Sequence, residues 1–131
     1  GTPMQGYVAN PNRAKGSVHN YGAAVDVTLL NQADAKVDMG TPYDHLGLLA
    51  QPRYEQKFLK NHKLTDKQVE MRKLLRKVMV ECGSMKMIRN EWWHFDFLRG
   101  KPLRNRYKKL DITFDELHKI RKRINRDEKA Q

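Results

Sequence analysis

The sequence predicts an α+β fold, and three stretches carry that prediction. Residues 23–30 form an apolar-rich run of strand length, residues 92–98 alternate with a period of two, and Thr65-Asp66-Lys67-Gln68 has the form of a helix-opening capping box. Residues 1–16 come first and read as loop, because Pro3, Gly6, Pro11 and Gly16 interrupt any periodicity. Ala23 to Leu30 is then a buried strand with one acidic residue, Asp26, and the small residues Gly22, Ala23 and Ala24 let backbone approach closely there. A buried carboxylate is costly without a partner, so Asp26 needs a cation or a hydrogen-bond donor. Residues 31–44 make a polar connection with turn signals at Gly40 and Pro42.

The capping box at Thr65 opens a helix that runs to about Cys82 and stops at Gly83. Val69, Leu75, Val78, Met79 and Cys82 form its buried stripe. Met85 to Ile88 is a short strand, and Trp92 to Leu98 a longer one in which Trp93, Phe95 and Phe97 face one side and Trp92, His94 and Asp96 the other. Strict alternation aims Glu91 away from His94, so the two serve one centre only if the chain bends as it enters this strand. Thr113-Phe114-Asp115-Glu116 opens a last amphipathic helix with Phe114, Leu117, Ile120 and Ile124 along one side.

At 131 residues and 15.4 kDa the chain is read as one domain. Such a domain buries about two-thirds of its unfolded surface and needs no disulfide staple. Cys82 is the sole cysteine and reads as a small core residue rather than a nucleophile. A single thiol is compatible with a reducing or an oxidising compartment. No stretch approaches the roughly eighteen apolar residues of a membrane span, and nothing at Gly1 resembles a signal peptide. The net charge of +11 raises the question of nucleic acid, but it is unevenly placed: residues 99–131 hold 12 Lys or Arg against 5 Asp or Glu and supply +7 of it. This basic helical extension lacks an aromatic platform for stacking and any known nucleic-acid module, so a solvated helix face is the preferred reading and no nucleic acid is expected as partner.

Chemistry concentrates in two segments. Ser17-Val18-His19-Asn20-Tyr21-Gly22-Ala23-Ala24-Val25-Asp26 and Glu91-Trp92-Trp93-His94 together hold two histidines and two carboxylates. That is enough for three zinc ligands and one free carboxylate to act as base, and a catalytic zinc typically keeps three protein ligands and one open position.

These residues resemble a known family. Ser-x-His-x-x-Gly-x-Ala-x-Asp at 17–26, Glu-x-x-His at 91–94 and, between them, Asp38-Met39-Gly40-Thr41-Pro42-Tyr43-Asp44 are similar in kind and order to segments of the zinc-dependent D-alanyl-D-alanine dipeptidases linked to vancomycin resistance, within the wider zinc D-Ala-D-Ala peptidase family. The resemblance implies one zinc per chain held by His19, Asp26 and His94, with Glu91 as general base and proton shuttle. It further implies that Asp44 receives the free amino group of the dipeptide, that Ser17 places a hydroxyl beside the substrate, and that Tyr43 and Trp93 wall the pocket. The expected activity is hydrolysis of D-Ala-D-Ala to free D-alanine, on a small, mostly antiparallel sheet with packed helices and zinc at its open face. A buried anionic Asp44 would favour a substrate with a free ammonium over a longer peptide.

Two rivals remain: a cell-wall D,D- or L,D-carboxypeptidase acting on longer muropeptides, and a non-catalytic basic domain that binds zinc or nucleic acid. The 39–44 segment favours the dipeptidase over the first, and Glu91 beside a complete ligand set argues against the second. The family also carries a Tyr-Arg-Pro-like segment whose arginine polarises the substrate carbonyl. Arg13, the one arginine before His19, sits in Pro-Asn-Arg-Ala-Lys-Gly and does not match it. The chain is therefore expected to be the C-terminal part of a longer catalytic domain whose upstream segment supplies that arginine.

Overall fold

The computed structural model describes residues 16–129. Three strands and four α-helices make an α+β fold: β1 (Ala24–Asp26), α1 (Glu55–Lys60), α2 (Asp66–Lys77), β2 (Lys86–Met87), β3 (His94–Asp96), α3 (Gly100–Arg106) and α4 (Phe114–Lys129). The expected loop at the N-terminus, Arg13 included, lies outside the described residues apart from Gly16. The sheet is antiparallel throughout, in the order β1-β3-β2. Its central strand is β3, the one strand whose residues are all buried.

The strands are shorter than their sequence patterns. The 23–30 run contributes only Ala24–Asp26 to β1; pairing continues loosely through Val27 N–H to the Trp93 carbonyl at 3.0 Å and a lone bridge from Leu30 to Lys36. β1 lies at the sheet edge, so Val25 and Asp26 are exposed and the run is not the buried strand expected. The 92–98 run likewise narrows to His94–Asp96, because the chain bends at Trp92 and Trp93 before the strand begins. Phe97, expected on the aromatic face, is exposed.

Local signals in the helical part are obeyed. Thr65 Oγ1 accepts the Gln68 N–H at 3.2 Å while Gln68 Oε1 accepts the Thr65 N–H at 2.9 Å, so both halves of the capping box form. α2 then continues into a π-turn at Val78–Cys82 that Gly83 closes. This wider turn rotates the end of the helix off its stripe. Val69 and Leu75 are buried as expected and Met79 packs against the core, but Val78 and Cys82 are exposed, so Cys82 is not a core residue. A residue not anticipated in the core, Arg72, takes a place on the stripe between Val69 and Leu75. At the far end Thr113 and Glu116 cap α4 reciprocally, with Thr113 N–H to Glu116 Oε2 at 2.7 Å and Glu116 N–H to Thr113 Oγ1 at 3.3 Å. Leu117 and Ile120 on α4 are exposed rather than packed.

The main core gathers Met39, Ala50, Leu75, Trp92, Trp93 and Phe95, with a second cluster of Phe58, Leu64 and Val69 under α1. Its two tryptophans meet edge to face with ring centroids 5.4 Å apart, a favoured aromatic geometry. No helix among the described residues is long and apolar enough to cross a membrane.

Two substitutions separate the packed part of α2 from its end. Thr65→Ala should lower unfolding free energy by about 1 kcal/mol through loss of the cap. Cys82→Ser, at an exposed site, should stay within about 0.5 kcal/mol of the parent. Urea denaturation of the two variants checks both values.

Candidate active site

The site forms where β1 crosses to β3. Antiparallel pairing sets Asp26 directly opposite His94, so residues far apart in sequence share one face of the sheet. His19 reaches the same point from the 3₁₀ turn Val18–Tyr21 that precedes β1. Ser17 caps this turn: its hydroxyl accepts the His19 N–H at 3.3 Å, and its own N–H donates to Asn20 Oδ1 at 2.9 Å. Gly22 ends the turn in the left-handed region, with φ at 64°, and turns the chain into β1.

Three side-chain atoms converge. His19 Nε2 lies 3.0 Å from His94 Nδ1 and 3.4 Å from Asp26 Oδ1, and His94 Nδ1 is 3.1 Å from the same oxygen. A tetrahedral metal with bonds of about 2.0–2.1 Å separates its ligand atoms by about 3.3–3.4 Å, so this triangle matches the base of such a site. Among the described residues, His19, Asp26 and His94 are the one group of His, Cys, Asp or Glu arranged to hold a metal ion.

The surroundings of His94 support the same use. Its Nε2 lies 2.8 Å from Asp96 Oδ1, two residues along β3 on the same face, and a neutral ring that donates this N–H keeps its lone pair on Nδ1, the atom in the triangle. Asp96 is buried, and Arg99 Nε stands 3.2 Å from its other oxygen. The chain thus builds a carboxylate-histidine pair behind the donor set. Asp96 was not picked out for a role from the sequence, although its shared face with His94 in the alternating run was the available signal.

Glu91 stands beside the triangle without joining it. Its Oε2 is 3.7 Å from His94 Nδ1, brought there by the bends at Trp92 and Trp93 that the alternation alone does not reveal. Burial pushes the Glu91 carboxyl above the usual glutamate range; His94 opposes the shift, while Asp26, Asp44 and Asp96 add to it. The influence of Asp44 on Glu91 places those two carboxylates within electrostatic reach of each other. Asp44 itself is exposed and adopts a left-handed backbone, with φ at 62°. The burial expected for it is therefore absent, since the segment that carries it runs over the surface.

Tyr43 is half exposed, with Lys36 Nζ 5.4 Å from its ring centroid, and helps line a cavity of about 470 Å³ with Thr28, Asp38 and Thr41. Trp93 does not wall a pocket; it is fully buried in the core.

The sequence profile described as D-ala-D-ala dipeptidase matches residues 2–113, which takes in the donor triangle, Glu91 and the 38–44 segment. The chain belongs to this family. It is also 36% identical over 92 residues to a D-alanyl-D-alanine dipeptidase of Synechocystis sp., an alignment that covers 67% of this chain and 37% of that relative. The chain therefore spans little more than a third of the relative's length. α4 begins just past the part that the family profile matches.

Loss of the carboxylate behind His94 provides a direct test of the donor set. Asp96→Asn should weaken divalent-metal binding by about 10- to 100-fold with little change in far-UV circular dichroism, since the imidazole loses the acceptor that fixes its tautomer. Competition against a chromophoric chelator measures the change.

Proposed function

We propose that the protein is a zinc metallopeptidase that hydrolyses the D-Ala-D-Ala dipeptide to free D-alanine. The observation that carries this reading is the triangle of His19 Nε2, Asp26 Oδ1 and His94 Nδ1 with Glu91 alongside. Membership of the family and the named relative support the substrate assignment.

One zinc per chain would be held by His19, Asp26 and His94. When bound, zinc supplies Lewis acidity toward the scissile carbonyl and a water of lowered pKa. Glu91 accepts the proton of the attacking water and delivers it to the leaving amine, a shuttle worth about 10² to 10⁴ in rate. Its partly buried position, which raises its basicity, suits a group that must take a proton and give it back. Asp44 receives the ammonium of the dipeptide's first residue, a charge-assisted contact that a longer peptide or an N-acetylated one cannot make. Ser17 contributes its hydroxyl beside the substrate as well as capping the turn under His19, and Tyr43 lines the approach.

In this reading residues 1–131 are the C-terminal part of one catalytic domain, with residues 99–131 as a basic helical extension. An upstream segment completes the site with an arginine aimed at the developing oxyanion, a contribution commonly worth several kcal/mol in acyl transfer.

Metal analysis is the primary test. Ala at His19, Asp26 or His94 should lower zinc content and activity together, and unchanged stoichiometry in all three variants would remove the assignment. Glu91→Gln should retain zinc and lose at least about a hundredfold in turnover; near-normal turnover would place the base elsewhere.

Substrate choice is tested at Asp44. With Asp44→Asn, hydrolysis of D-Ala-D-Ala should fall much further than that of its N-acetylated analogue. Equal losses, or a parent that prefers longer peptides ending in the same pair, would favour a cell-wall carboxypeptidase instead. Addition of the upstream segment should raise kcat by about 10²-fold or more over residues 1–131 alone; equal rates would show that no upstream arginine is required.

A further inference from the structure

The position of Asp44 depends on the backbone beneath it. Among the described residues no hydrogen bond or ion pair engages its carboxylate, and its backbone is left-handed, with φ at 62°. That chain, residues 38–44, is fixed at three points. Asp38 accepts the Gly40 N–H and the Gln68 side-chain amide, each at 2.8 Å. The Met39 carbonyl accepts Arg72 Nε–H at 2.7 Å. Thr41 Oγ1 accepts the indole N–H of Trp92 at 2.8 Å. Gly40, at φ 80°, is pressed so closely on Leu64 that a Cβ has no room, so the segment lies tight against the entry to α2.

Two of these anchors lead to the base. Trp92 is the neighbour of Glu91, is fully buried, and presents its ring to the Arg72 guanidinium at 5.7 Å. Arg72 is itself fully buried and donates to the Leu49 carbonyl at 3.0 Å besides that of Met39. One rigid unit, Arg72 and Trp92, therefore holds the 38–44 segment at Met39 and Thr41 and the Glu91 peptide at its other side.

We infer that Thr41 and Arg72 are positioning residues that set Asp44 relative to Glu91, and so fix the distance between the group that selects a free amino terminus and the group that moves the proton. This rests on the reading of Asp44 given above. The recognition distance is then built into the half-buried Trp92–Thr41 bond rather than into any contact of Asp44 itself. A one-residue motif would place a carboxylate somewhere on the loop; the strut places it at a fixed reach from the reacting amide.

The test uses the full-length metal-loaded protein in a Glu91→Gln background, in which ligand binds without turnover. Calorimetry measures the affinity for D-Ala-D-Ala and for N-acetyl-D-Ala-D-Ala. Thr41→Val should weaken the free dipeptide about tenfold and the acetylated one by less than twofold, while Thr41→Ser, which keeps the acceptor, restores the parent ratio. In the Glu91-containing enzyme, Thr41→Val should raise KM for the dipeptide with kcat on the acetylated substrate little changed. Trp92→Phe removes the donor of the same bond, so the double variant should lose no more selectivity than either single one. Equal weakening of both ligands by Thr41→Val would mark a general structural role and overturn the inference, as would additive losses in the double variant. A parent whose selectivity ignores Asp44→Asn would overturn the reading of Asp44 and the strut together. Normal sensitivity to Asp44→Asn with an unchanged ratio in Thr41→Val would overturn the strut alone.

Discussion

Antiparallel pairing of β1 with β3, in the register that places Asp26 across from His94, is the constraint on which the site depends. Directly opposed residues in such a pair bring their Cβ atoms to about 4.5–5.5 Å. That is close enough for two short side chains to share one ion. A slip of one residue would turn His94 and Asp96 to the other face and bring Phe95 to the site in their place. The register is protected because β3 is central and wholly buried, flanked by the core residues Trp92 and Trp93 before it and paired on both edges. Stability of the core and geometry of the site are thus set by the same three residues of chain.

Buried polar groups around this strand are arranged in linked pairs. Asp96 faces His94 with one oxygen and Arg99 with the other. Between α1 and α2 Glu55 holds Arg76 through two contacts of 2.8 Å and lies 3.7 Å from Arg72. Burial pulls the Arg72 pKa down to about 10, with Glu55 opposing the shift, so the group stays cationic at neutral pH. One of its nitrogens, Nη2, finds no hydrogen-bond partner among the described residues. A fold that leaves a buried guanidinium incompletely satisfied loses stability there. Among the contacts it does make, those to the Met39 carbonyl and the Trp92 ring seat the 38–44 segment on the core.

Features legible in the sequence were local or came as short motifs. The capping boxes at Thr65 and Thr113 are each four residues long and form as written, because both partners lie within one turn. His19, Asp26, Glu91 and His94 could be singled out because two short segments that combine imidazoles with carboxylates resemble motifs of the dipeptidase family. Properties that depend on distant chain were hidden. Edge position made β1 exposed where its apolar content suggested burial, the π-turn moved Cys82 out of the core, and the bend at Trp92 swung Glu91 back toward His94. α1 went unread because a six-residue helix offers too little periodicity to register. Arg72 did have a signal, its three-residue spacing from both Val69 and Leu75, but an arginine on that stripe is ordinarily at its margin.

Charge gives the site its remaining logic. The chain as a whole is strongly basic, yet Asp26, Glu91 and Asp96 meet around two histidines, and Asp26, Asp44 and Asp96 each raise the cost of ionising Glu91. Arg99 offsets Asp96 from behind the strand, which leaves the front of the site anionic. Two kinds of cation answer that imbalance in different places: a metal at the His19–Asp26–His94 triangle, where imidazole lone pairs converge, and a substrate ammonium at Asp44, where no imidazole is available. Separation of the two positions matters for chemistry. A cation at the triangle acts on the carbonyl to be cleaved, one at Asp44 fixes the far end of the substrate, and Glu91 lies within reach of both fields with no role as a ligand to either. Lys101, Arg104 and Arg106 on α3 and Lys119, Arg121 and Arg123 on α4 are exposed, so solvent ions screen their charges beyond about 8–10 Å.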